Sequence, residues 1–171
     1  MRVEAPIKVD RKTKRLAKRL TGREIAVINH MDIDEVAANS LVEGKVKLVI
    51  NAAQSISGKY PNKGPGILTD KNILIIDNVG QELFDELKEG QIIEVNNGQI
   101  YRDGQLLGEG SVLDKDKVAI KIKEAYDNMS VELDRFIDNT IEYAKKEKGF
   151  ILGEVEIPKV KTKYKDRHVL V

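Results

Sequence analysis

Apolar residues fall into short continuous runs over the first two thirds of the chain, and only afterwards does the spacing lengthen. The runs at 25–28 (IAVI), 46–51 (VKLVIN) and 73–77 (ILIID) are bounded by polar or turn-forming residues, the pattern of strands buried on both faces. Between the first two, the stretch DIDEVAANSLVEG sets Ile33, Val36, Ala37, Leu41 and Val42 at helical spacing. Asp32 is placed to cap that helix and Gly44 to stop it. The spacing also predicts a short basic amphipathic helix over 13–20, ending near Gly22, and a short helix over 81–88 carrying Leu83, Phe84 and Leu87. QIIEV, the turn Asn96-Asn97-Gly98 and residues 99–102 read as a hairpin, with a second turn at Asp103-Gly104 leading into 105–108. Strands alternating with helices, then hairpins, predict an α/β layered domain over 22–111, preceded by a basic helical arm over 1–21.

The segment 112–148 has a different period. Val118, Ile122, Ala125, Met129, Leu133, Phe136, Ile137, Thr140 and Ala144 recur every three or four residues. A single helix there is about 50 Å long at about 1.5 Å rise per residue, longer than the α/β body is wide. It either overhangs the body or breaks near Asn128 or Asn139, and its stripe suits packing on its own domain or against a second helix. More apolar stripe than a small domain can cover marks an interface. Ile122, Met129, Leu133 and Phe136 are therefore the candidate interface of a homodimer. Residues 149–171 read as a linker that closes on HVLV, the start of a further strand.

Composition narrows the chemistry. Among 171 residues there is no cysteine and there are two histidines, His30 and His168, which excludes disulfides, thiolate sites and histidine-rich metal centres. No apolar run approaches the ~20 residues that cross a bilayer, and the N-terminus lacks the apolar core of a secretion signal; the reading is a cytoplasmic chain with no membrane segment. The net charge of +1 conceals segregation: residues 1–23 carry +7, residues 24–158 carry −10 and residues 159–171 carry +4. The basic arm suits either docking on the acidic body through Leu16 and Leu20 or contact with nucleic acid or an anionic membrane. The absence of interleaved aromatics disfavours nucleic acid.

Two resemblances follow from these residues. The strand REIAV, the aspartate-rich helix start, the strand NILIIDNVG and the ending LKEGQIIEVNNGQIY are similar in order to the swivelling β/β/α domain that carries phosphohistidine in phosphoenolpyruvate-utilising enzymes. In those enzymes the loop after the second strand holds an acceptor histidine in a Gly-Gly-x-x-Ser-His run. Here that loop is SISGKYPNKGP, without histidine, so the resemblance implies the fold and not the phosphoryl transfer. More of the chain resembles the N-terminal region of SteA-like proteins: VDRKTKRLAKRL, EIAVINHMDIDEVAANSLVEGKVKLVINAAQSISGKYPNKGP, FIDNTIEYAKKEK and DRHVLV. That bacterial family is described as cytokinetic-ring proteins related to thiamine pyrophosphokinase. The resemblance implies a truncated, noncatalytic N-terminal module for assembly or regulation linked to cell division. It implies a following kinase-like domain, a hydrophobic C-terminal segment that ties the whole protein to a membrane, and a cell-division partner.

The loop 55–65 is the most site-like feature. Gly58, Gly64 and Gly66 permit close backbone approach, Lys59 and Lys63 supply charge, and Ser55, Ser57 and Asn62 supply hydrogen-bonding groups. Ser55, Ser57, Gly58, Lys59, Asn62 and Lys63 are thus the candidate binding residues for an anion, a phosphorylated metabolite or a nucleotide. The alternative is a rigid turn at Tyr60-Pro61 and Gly64-Pro65 whose polar groups satisfy one another. The loop lacks the GxxxxGK[ST] arrangement of a P-loop. Asp32, Asp34 and Glu35 beside His30 resemble a metal cluster, but a helix start favours acids on its own. No catalytic residue, metal or cofactor is assigned.

Overall fold

The runs IAVI and LVIN can be buried on both faces only if layers cover both sides of the sheet they form, and they are. In the computed structural model, which describes residues 2–154, β2 (Ile25–Ile28) and β3 (Leu48–Asn51) are buried along their whole length. The chain divides into two units, Met1–Val131 and Glu132–Val171. The proposed strand HVLV and the linker residues Arg167 and His168 lie outside the described residues.

In the first unit, β1 (Arg2–Asp10), β2, β3 and β4 (Leu74–Asp77) run parallel and in order. Helices α1 (Thr13–Ala17), α2 (Glu35–Glu43) and α3 (Gly64–Asp70) connect them. After α4 (Gln81–Glu86) come β5 (Ile92–Asn96), β6 (Gln99–Arg102) and β7 (Gln105–Glu109), an antiparallel meander. The last strand, β8 (Ser111–Leu113), pairs antiparallel with β4. The result is a mixed eight-stranded sheet in the order β7-β6-β5-β1-β2-β3-β4-β8.

Strand β1 joins the two halves of this sheet. Ile7 to Asp10 pair with β2, whereas Arg2 to Pro6 pair with β5. The segment 1–21 is therefore not a helical arm outside the domain. Its first residues are a central strand, and only Thr13–Ala17 is helical. The alternating polar residues of RVEAPIKVD disguise a strand whose first half has one open face.

Side-chain alternation sorts the core into two layers. Ala26, Ile28, Val49 and Ile75 meet Leu16, Leu41, Leu68 and Val118 on the helical side. Ile25, Val27, Leu48, Ile50 and Ile76 meet Leu83, Phe84, Ile93, Val95 and Ile100 on the other. The β5–β6 turn has Asn97 at φ 48° and Gly98 at φ 91°, the positive values that a two-residue hairpin turn needs. Its tip closes on the start of β8, because Gly110 N–H donates to Gly98 O at 2.9 Å.

Two local expectations are corrected. The cap of α2 is Asp34, whose carboxylate accepts from Ala37 N–H at 2.7 Å; Asp32 sits outside the helix at φ 54°. Residues 64–65, expected in a loop, open helix α3, where proline is suited to the first turn.

Helix α5 (Lys115–Lys146) is unbroken at Asn128 and Asn139. Asn128 directs its amide onto Gly58 O at 3.1 Å, away from the helix backbone, whereas Thr140 Oγ1 shares the Phe136 carbonyl at 2.8 Å without breaking the helix. Within the first unit Val118 and Ala125 are buried and Ile122 packs on the helical-side core. In the second unit, the remainder of α5 leads into α6 (Lys148–Ile151). There Leu133, Phe136, Ile137, Ile141 and Tyr143 are all exposed.

Candidate functional site

The carboxyl ends of parallel strands are where open α/β sheets place their ligands. Here those ends carry Asp10 on β1, Asn29 and His30 just after β2, Asn51 on β3 and Asp77 on β4. Asn51, Ser55 and Asp77 are buried. Each must therefore find partners within the protein.

Asn51 acts as an extra rung between strands. Its Oδ1 accepts from His30 N–H at 2.9 Å, and its Nδ2 donates to His30 O at 2.8 Å and to Ser55 Oγ at 2.9 Å. Ser55 in turn donates both its backbone N–H (2.8 Å) and its hydroxyl (2.6 Å) to Asp77 Oδ1. Burial pushes the Asp77 carboxyl above its ordinary value, opposed by the two Ser55 bonds and by the Lys121 ammonium. The Ser55 hydroxyl thus donates to Asp77 and accepts from Asn51 in a fully buried position.

The rest of the loop closes on itself. The Asp32 carboxylate accepts from Ser57 N–H at 2.7 Å and from its hydroxyl at 2.8 Å. Asn62 Nδ2 donates to Ile33 O (2.9 Å) and Ser55 O (2.8 Å), while its Oδ1 is buried without a partner. Gly64 follows at the tightest point: a Cβ there would lie 2.0 Å from Ile33 O. His30 Nδ1 and Thr13 Oγ1 share a hydrogen bond at 2.9 Å, tying α1 to the end of β2.

The six residues singled out in the loop therefore have separate fates. Ser55, Ser57 and Asn62 turn inward onto structural partners, and Gly58 O accepts from Asn128. Lys59 and Lys63 stand exposed, with Lys63 Nζ 3.7 Å from Glu35. The acidic residues near His30 also diverge, to Ser57 for Asp32, to Ala37 N–H for Asp34 and to Lys63 for Glu35. Among the described residues no three histidine or acidic side chains are gathered to hold a metal ion.

The basic residues of 11–19 divide similarly. Asp10, buried at the end of β1, accepts from Arg15 Nε (2.5 Å), Arg19 (3.2 Å) and Lys12 N–H (2.9 Å). The Arg15 guanidinium, more than any other group, holds the Asp10 carboxyl down at about 2. Arg19 also pairs with Glu89, and Arg11 pairs with Asp85 at 2.9 Å above the Phe84 ring. Three arginines are thus spent on the body, and Lys12, Lys14 and Lys18 remain exposed.

Asn51, Asp77 and Asp10 escaped sequence reasoning. For Asn51 and Asp77 the signal was present, since each is the polar residue that ends an expected strand; Asp10 had none, because nothing local marks residues 2–10 as a strand. What each one holds depends on which strands are neighbours.

Of the four candidate interface residues, Ile122 is half-buried against the core. Met129, Leu133 and Phe136 are 36%, 54% and 66% exposed. No described helix is long and apolar enough to cross a membrane. Comparison with protein-family models, with curated proteins and with solved structures gives no match.

Proposed function

We propose that this chain is the noncatalytic N-terminal module of a SteA-like, thiamine pyrophosphokinase-related bacterial protein, working in the cytoplasm in assembly or regulation linked to cell division. One observation carries the noncatalytic, assembly side of this reading. The polar groups at the strand ends are consumed by one another, whereas the apolar residues of 132–146 face solvent. An exposed apolar stripe of this kind favours recognition through a helix surface. The family side rests on the sequence resemblance, above all SISGKYPNKGP and NTIEY. The swivelling β/β/α reading of the fold draws support from β1 passing between two sheet halves, with α1, α2, α3 and the start of α5 on one side and α4 and the β5–β7 meander contributing to the core on the other. The helix-borne interface is proposed to join two copies of the chain.

The test has two arms. Purified chain incubated with labelled ATP or phosphoenolpyruvate should take up no label, and stable labelling at His30 would overturn the noncatalytic reading. In the bacterium, replacing the gene by one whose product carries Leu133→Glu and Phe136→Glu should lengthen cells or displace septa. Normal division with normal protein levels would overturn the assembly reading.

A further inference from the structure

Resting on the reading that 132–146 joins two copies, we infer that the copies pair antiparallel, with their two-fold axis beside Ile141. Successive residues turn by about 100° around an α-helix. Leu133, Ile137, Thr140 and Ala144 therefore share one line, flanked on one side by Phe136 and Tyr143. The other flank carries Asp134, Asp138, Ile141, Lys145 and Lys148, spaced alternately four and three apart. α5 ends at Lys146, and Glu147, still in the right-handed helical region at φ −86° and ψ −1°, leads into α6 at Lys148 with the same sense of turn.

This flank is charged in order: two aspartates, then an isoleucine, then two lysines. The neighbouring charges are already satisfied along the helix, Glu132 by Arg135 and Glu142 by Lys146, each at 2.7 Å. Asp134, Asp138, Lys145 and Lys148 have no such partner among the described residues. Four unpaired charges bordering an exposed apolar stripe define what can lie on it.

Antiparallel helices related by a two-fold axis set each flank against its own copy. Centred on Ile141, that symmetry brings Asp138 to Lys145 and Asp134 to Lys148, and does so twice. Ile141 then meets Ile141, and Ile137 lies across from Ala144. A parallel pair sets this flank against the opposite one. There the two aspartates would face Glu132 and Phe136 with no cation opposite, and Glu147 alone would offer the lysines a partner. Charge complementarity of this kind selects orientation and register more than it adds affinity.

The experiment uses two charge-reversed forms of the whole chain, one with Asp134→Lys and Asp138→Lys, the other with Lys145→Glu and Lys148→Glu. Multi-angle light scattering should show the parent chain dimeric, and each form alone should dimerise roughly tenfold more weakly. An equimolar mixture of the two should regain parental dimerisation, because the antiparallel register pairs the new charges. Circular dichroism checks that both forms stay folded. Because the chain contains no cysteine, a single Ile141→Cys form gives an independent check and should cross-link to itself on mild oxidation. A dimer indifferent to both reversals, a mixture that does not recover, or a dimer that does not self-link at position 141 would overturn the antiparallel register and leave dimerisation standing. A parent chain that is monomeric at high concentration would overturn both.

Discussion

Asp77 Oδ1 accepts two hydrogen bonds from a single residue, the backbone N–H and the hydroxyl of Ser55. The end of β4 thereby grips the first turn of the loop that leaves β3, and Asn51 holds the same hydroxyl from the other side.

The first prediction concerns this grip. Ser55→Ala removes a donor to a buried carboxylate and an acceptor for the Asn51 amide, and should cost about 2–3 kcal/mol. Urea unfolding followed by circular dichroism measures it; a loss below about 0.5 kcal/mol would show that water replaces the hydroxyl freely. Burial raises the Asp77 pKa, so protonation is easier in the folded chain than in the unfolded one. Its contribution to stability therefore falls as pH rises through that pKa.

Asp10 has the opposite sign. Its carboxyl is lowered from 3.8 to about 2 by Arg15, with Lys12 N–H and Arg19 adding to the effect. The stability it contributes is present above about pH 4 and is lost as pH falls towards 2, a contribution of about 2 kcal/mol. The gap in unfolding free energy between the parent chain and Asp10→Asn should shrink steadily from pH 5 to pH 2. A gap independent of pH would mean that the carboxylate's charge is not what Arg15 and Arg19 reward.

Two glycines of α3 should respond oppositely to the same change. A Cβ on Gly64 meets Ile33 O at 2.0 Å, whereas one on Gly66 comes no closer than 3.9 Å, to Ile122. Gly64→Ala should therefore destabilise by about 3 kcal/mol or more through forced backbone movement. Gly66→Ala should be neutral or stabilise by up to about 1 kcal/mol, since alanine is the better helix former. Melting temperatures of the two variants decide it, and equal values would contradict the packing.

The exposed stripe should matter to association and little to folding. Leu133→Glu with Phe136→Glu places charge on side chains that are 54% and 66% exposed, so the urea midpoint should move by the equivalent of about 0.5 kcal/mol or less. Sedimentation should meanwhile shift from dimer to monomer. Unfolding of the α/β unit by this pair would show that the stripe is covered internally.

Much was legible along the chain. IAVI is a strand, as are LVIN within VKLVIN and LIID within ILIID, because continuous apolar residues favour burial on both faces, and Asn97-Gly98 is a hairpin turn because those two residue types accept positive φ. The long helix follows from its period. The rest was decided by what lies beside what. RVEAPIKVD alternates with charged residues and contains a proline, so nothing local marks it as the strand on which both halves of the sheet converge. Gly64-Pro65 reads as a turn by composition but opens a helix, where proline suits the first turn and Ile33 O leaves room only for glycine. Ser55, a loop serine by pattern, becomes a buried clasp because β3 and β4 are neighbours and present Asn51 and Asp77 to it. Local pattern determines which segments can be strand or helix, since burial and backbone preference act over a few residues. Partners for polar groups come from strands and loops distant in sequence, so the tertiary arrangement alone decides which serine, asparagine or aspartate is satisfied inside and which apolar stripe is left facing water.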